Sequence, residues 1–110
     1  MKVAIPVAEG KLAVHFGHVQ EFALVYVNDG KIEKTESHTP PPHEPGVLPR
    51  WVESLGADLV IAGGMGHKAQ QLFAEKGIRV LTGAPSETPE TLVLNYLENT
   101  LQTGVNLCDH

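Results

Sequence analysis

Leu59-Val60-Ile61-Ala62-Gly63-Gly64-Met65-Gly66-His67 is the stretch whose reading decides the fold. A short apolar run that breaks into glycine and then enters a helical pattern reads as a buried parallel strand feeding a helix N-terminus. The first N–H groups of such a helix lack intrahelical partners, and the aligned peptide dipoles place partial positive charge there, so the junction attracts anions. Glycines at 63, 64 and 66 remove the β-carbons that would hold a ligand away from those donors. An equally weighted reading is that they only let strand and helix pack closely. The spacing matches neither the G-x-x-x-x-G-K-[ST] phosphate loop nor G-x-G-x-x-G.

Working outward, the alternation of Val3, Ile5 and Val7 predicts a first strand over Lys2–Val7, with Pro6 tolerable only near its exit. A loop from Ala8 to Gly17 carries Glu9-Gly10 and leads into His15-Phe16-Gly17-His18. Phe22–Val27 reads as the second strand, and Asp29-Gly30 as a tight primed turn into an exposed third strand over Lys31–Ser37. The prolines between His38 and Gly46 exclude regular structure and predict a semi-rigid loop, a candidate lid. Val47, Leu48, Trp51, Val52 and Leu55 recur at helical spacing, with Gly56 as the stop. Asp58–Ala62 is the fourth strand, about His67–Lys76 a helix ended by Gly77, and Ile78–Leu81 the fifth strand. Thr88-Pro89-Glu90 caps a last helix with Leu92, Val93, Tyr96, Leu97 and Leu101 on one face.

The element order predicts a single α/β domain over residues 1–110, its tail from about 103 expected to be flexible. The expected sheet is mixed and five-stranded, of order 3-2-1-4-5, with strands two and three as an antiparallel hairpin and helices on both faces, a three-layer ribonuclease-H-like layout. Ligands in open α/β sheets bind beyond the carboxyl ends of the strands where the connection direction reverses, here between strands one and four. That places His15 and His18 opposite Gly63–His67.

Bulk composition narrows the function. The chain is 42% hydrophobic and 19% charged, as an ordinary globular protein is. Its formal net charge of −5, with eight Lys and Arg, argues against nucleic acid as a partner. No stretch approaches the roughly 20 apolar residues of a membrane span. A single cysteine points to a reducing cytoplasm. Two-metal nuclease chemistry needs carboxylates at the strand ends, and the first strand has none. Ser37, Ser54 and Ser86 lack the G-x-S-x-G context of a hydrolase nucleophile. What remains is a loose set of borderline and soft ligands, His15, His18, His43, His67 and Cys108-Asp109-His110, suited to copper, zinc or iron-sulfide species rather than magnesium.

Met1–Val7, His15-Phe16-Gly17-His18, Asp58–Gly66 and the closing Cys108-Asp109-His110 together resemble the dinitrogenase iron-molybdenum cofactor biosynthesis family. The resemblance runs over nearly the whole chain, and the ordered H-F-G and G-G-M-G pair carries most of it. It implies a ribonuclease-H-like fold without the nuclease carboxylates, and the binding of metal-sulfur clusters or their precursors. Small stand-alone members include the orange proteins, which hold a molybdenum-copper sulfide cluster non-covalently. The position of His18 is commonly Arg in that family; histidine keeps a donor but makes its charge depend on pH.

The expectation is therefore a non-enzymatic carrier or scaffold for an anionic metal-sulfide cluster. The cargo would contain molybdenum, with copper as a candidate second metal, or else be an iron-sulfur species or FeMo-cofactor precursor, and a protein partner would donate or receive it. The expected contacts are His15, Phe16, Gly17, His18, Gly63, Gly64, Met65, Gly66 and His67, with His15, His18, His43 and Cys108 as metal ligands and an apolar wall of Ile5, Val7, Phe16 and Met65. The rival readings are a protein-interaction or regulatory module and a small-anion enzyme using the loop histidines.

Overall fold

The computed structural model describes residues 1–14, 19–42, 44 and 46–103. Their elements are β1 (Lys2–Ala8), β2 (Lys11–Leu12), β3 (Glu21–Asn28), β4 (Lys31–His38), α1 (Val47–Ser54), β5 (Leu59–Ile61), α2 (His67–Glu75), β6 (Arg79–Leu81) and α3 (Pro89–Leu97). The sheet runs β4-β3-β1-β5-β6, and β2 pairs with the end of β1 off this path. Pairing is antiparallel in β1/β2, β1/β3 and β3/β4, and parallel in β1/β5 and β5/β6. The domain is thus an α/β fold with an open mixed sheet and three helices, with one strand more than the five expected.

The additional strand comes from Glu9-Gly10. Both residues have positive φ, 56° and 81°, which is the geometry of a two-residue type I′ hairpin. Asp29-Gly30 makes the same turn, with φ of 53° and 73°. The hairpin after β1 also explains Pro6. The β1/β5 ladder reaches only Ala4↔Val60, and beyond it Pro6 offers its carbonyl to the Ala13 N–H at 2.9 Å. The proline's missing donor therefore falls where β1 exchanges β5 for β2, and no parallel ladder bond is lost.

Period-two alternation divides the core between the two sheet faces. Ala4, Phe22, Leu24, Val60, Ala62 and Met65 pack with Leu48 and Val52 of α1 and Phe73 of α2. Val3, Ile5, Val25, Leu59 and Ile61 pack on the opposite face with Leu92 and Val93 of α3. One bulge resets this pattern: Val27 pairs with Ile32 but Tyr26 pairs with Lys34, leaving Glu33 as the extra residue. As a result Lys34, Glu36 and His38 share a face with Tyr26 and Phe22.

Helix ends follow local chemistry. The Thr88 hydroxyl accepts the Thr91 N–H and Pro89 opens α3. That helix stops at Leu97, sooner than its apolar face suggests, because Asn99 takes a φ of 61° and the Asn95 carbonyl accepts the N–H of both Thr100 and Leu101. Leu101 still packs against the α3-side core from beyond the helix. No described helix is long and apolar enough to cross a membrane.

Candidate functional site

The mouth of the sheet lies where β5 ends at Ile61 and β1, past its last pairing with β5 at Ala4↔Val60, runs on to Ala8. Beyond β5 the main chain passes between two loops. The Gly64 N–H donates to the Val14 carbonyl at 2.8 Å, and on the other side the Gly63 carbonyl accepts the Gly83 N–H at 2.7 Å. Ala62 closes the same seam, donating to Leu81 and accepting from Ala84 at 2.8 and 3.2 Å. The sheet's hydrogen bonding therefore continues into its loops past the last residue of each short strand.

The loop after β2 is anchored at both ends of its described residues. Leu12 donates to the Glu87 carbonyl at 3.0 Å, and its own carbonyl accepts the Ser86 hydroxyl at 3.2 Å. Further on, the Gln20 N–H donates to Val7 at 3.0 Å and the Gln20 side chain accepts the Glu9 N–H at 3.2 Å. The chain thus leaves the described residues at Val14, on Gly64, and re-enters them beside β1. His15, Phe16, Gly17 and His18 lie outside the described residues, as do His43 and Cys108.

The glycine turn differs from an open cradle. Gly64 is buried, and its N–H is bonded to Val14 rather than unpaired. Met65 is fully buried within the α1/α2-side core, whereas Ile5 is fully buried on the α3 side with Val7 packed against it. Met65 therefore cannot share one apolar wall with Ile5 and Val7, since it lies on the opposite face of the sheet, and Phe16, the fourth expected member, lies outside the described residues. Among the described residues, Val14 is an exposed apolar side chain on this rim, at 50%.

Gly66 is the extended N-cap of α2, with φ −65° and ψ 156°, and makes no side-chain capping bond. The first turn of α2 holds no acidic residue, so no carboxylate of that turn offsets the positive end of its dipole. His67 is exposed there. Gln70 donates its backbone N–H to Gly66 at 3.1 Å and its side-chain amide to the Met65 carbonyl at 2.8 Å, so two carbonyls of the turn are satisfied from within α2. From His67 a groove of about 720 Å³ runs between α2 and β6, lined by Gln70, Gln71, Arg79 and Leu81 among others. Among the described residues no cluster of three or more His, Cys, Asp and Glu side chains is placed to hold a metal ion.

A second polar constellation sits far along the sheet on β4. Glu36 accepts from the Tyr26 hydroxyl at 2.8 Å, hydrogen-bonds His38 Nε2 at 3.1 Å and pairs with Lys34 at 3.2 Å. These bonds, that of Tyr26 first, hold the Glu36 carboxyl down to about 2, and the same Tyr26–Glu36 bond raises the Tyr26 phenol. The His38 and Phe22 rings each meet the Trp51 ring edge-on. This network ties the hairpin to α1 and lies on the far side of β3 from the glycine turn.

An open mixed sheet with helices on both faces and a glycine turn leading from β5 into α2 places the chain among small α/β domains. The chain belongs to the dinitrogenase iron-molybdenum cofactor family, whose model matches residues 1–99. An uncharacterised protein of Methanocaldococcus jannaschii is 28% identical over 107 residues, which cover 93% of this chain and 90% of the relative. The crystal structure of PH0822 superposes with a TM-score of 0.87 at 27% identity, covering 94% of both chains. The apo form of the orange protein from Desulfovibrio gigas shares the fold at a TM-score of 0.75 and 20% identity, over 96% of this chain and 93% of that one.

Proposed function

We propose that this chain is a non-catalytic carrier that binds an anionic metal-sulfide cluster non-covalently at the mouth between β1 and β5 and passes it to or from a partner protein. The observation that carries the reading is the convergence on one rim of both flanks of His15–His18, the glycine turn and an α2 start without acidic residues. Family membership and the likeness to the orange protein support a cofactor-related carrier or scaffold. The cargo of first choice contains molybdenum, with copper as second metal; an iron-sulfur species or FeMo-cofactor precursor is the alternative within the same chemistry.

A sulfide-rich anion needs no covalent protein bond. Imidazole N–H groups of His15, His18 and His67 and the positive end of α2 supply donors to its sulfurs, while Phe16 and Val14 keep water from the rim. His43 and Cys108 are the ligands that would add direct metal contacts. Borderline imidazole and soft thiolate fit copper or a molybdenum sulfide, and the absence of acid from the first turn of α2 fits the anion's charge. The mode is reversible, as delivery requires.

The test is reconstitution of the anaerobically purified protein with tetrathiomolybdate and copper, followed by metal analysis and absorption spectroscopy. Stoichiometric metal with sulfide-to-metal charge-transfer bands is the expected result, lost in His15→Ala and His18→Ala. Retention of the same bands by both variants would place the cargo elsewhere.

A further inference from the structure

Gly63 and Gly66 look alike in the sequence and are unlike in the fold. A β-carbon on Gly66 would meet nothing within 4 Å. One on Gly63 would lie 2.9 Å from the Val14 carbonyl oxygen and 3.2 Å from that of Ala13, both main-chain atoms that no rotamer change can move. Nor is there slack on either side. Gly63 is held from behind by its bond with Gly83, and the Ala13–Val14 segment is clamped by Leu12 to Glu87 and Ser86.

We propose that Gly63 is a positioning residue whose missing side chain lets the Val14 carbonyl seat on the Gly64 N–H, and that this seat fixes where the chain enters residues 15–18 at the mouth of the sheet. The inference rests on the carrier reading for its consequence, because the seat matters to cargo only if that segment holds it. It gives the glycine turn a different task from an anion cradle. In a cradle, a β-carbon at Gly66 beside the helix start would obstruct the ligand and one at Gly63 would matter less. In a seat, a β-carbon at Gly63 disturbs the Gly64 N–H and one at Gly66 does not.

Gly63→Ala and Gly66→Ala, compared with wild type, decide between these by two readouts. Amide hydrogen exchange at Gly64 is measured against Ala62, whose N–H bonds Leu81 in the same seam. Gly63→Ala is expected to speed Gly64 exchange by about tenfold or more while leaving Ala62 close to wild type, the pattern of local rather than global opening. Loading with tetrathiomolybdate and copper is expected to weaken about tenfold in Gly63→Ala, whereas Gly66→Ala, whose added β-carbon meets nothing within 4 Å, is expected to leave Gly64 exchange within about twofold of wild type.

The proposal is overturned if Gly64 exchanges in Gly63→Ala as in wild type, if Gly64 opens while loading is unchanged, or if Gly66→Ala speeds Gly64 exchange as much as Gly63→Ala does. If wild type takes up no metal, the carrier reading fails by itself, and Gly64 exchange alone decides the seat. Should Gly63→Ala fail to fold, wild type carries the test: the Gly64 N–H bonded to the Val14 carbonyl must be protected from exchange about as well as that of Ala62, and a Gly64 that exchanges like an exposed amide overturns the seat.

Discussion

Between β3 and β4 the structure is specified by side chains: Tyr26, Glu36, His38 and Lys34 bond one another across the hairpin, and Phe22 and His38 meet Trp51. Around β5 and β6 it is specified by main chain, with three-residue strands whose pairing is prolonged by Ala62, Gly63 and Gly64 into flanking loops. The two halves meet in β1. A half fixed by side-chain pairs can exchange a residue and keep its backbone, whereas the half fixed by carbonyl-to-amide contacts has, at Gly63, no room for an added carbon. The candidate site falls in the second half, where precision of the backbone matters most to a ligand held by oriented N–H groups.

The largest effect asks whether the halves are separable. Phe73 is fully buried under the parallel half, and Phe73→Ala is expected to cost about 3–5 kcal/mol. If β1 couples the halves into one cooperative unit, denaturant unfolding stays two-state and the amides of β3 lose protection together with those of β5. Retained protection at Val25 after loss at Val60 would break the comparison into two independent folding units.

A smaller effect separates two ways in which a glycine is required. Gly30 has a φ of 73° and open space around its absent β-carbon, whereas Gly63 lacks positive φ and lacks the space. Gly30→Ala is therefore a pure backbone penalty of about 1 kcal/mol. It should lower the unfolding midpoint without altering metal loading. A loading defect in Gly30→Ala would tie the hairpin to the site and undo the division.

Legibility in the sequence follows the same divide. The antiparallel hairpin at Asp29-Gly30, the Thr88-Pro89 helix start and the buried strand before Gly63 are written in residue types and their spacing, and all are present. The Glu9-Gly10 hairpin was concealed because Glu is not the Asn or Asp that marks such turns, and β2 is too short to alternate. The seating of Val14 on Gly64 has no residue signature, because any residue presents the same carbonyl. Met65 reads as a candidate soft contact in G-G-M-G, yet the strand-to-helix turn sends it into the core. The Glu36 network was hidden by the bulge at Glu33, since an unbroken register places Lys34, Glu36 and His38 on the face opposite Tyr26.

The smallest expected effect tests that side-chain half by pH. Glu36 titrates near 2 in the fold against 4.5 for an unperturbed carboxyl, so its ionised form is favoured by folding. A depressed carboxyl contributes stability that is fully present above the unfolded value and is lost as pH falls through the folded one. Wild type should thus lose stability between pH 4.5 and about 2 more steeply than Glu36→Gln, and the two curves should run parallel from pH 4.5 until the phenol begins to titrate near 10.0. At the alkaline end the sign is opposite. The raised Tyr26 phenol favours its neutral form, so its contribution is present below 10.0 and lost as pH climbs beyond it. Glu36→Ala removes the main cause of that rise and should move the phenolate absorbance titration toward 10.0. An unchanged Tyr26 titration in Glu36→Ala would mean that the hydroxyl bond does not persist in solution. The hairpin half would then rest on its ladder and turn alone, as the parallel half does.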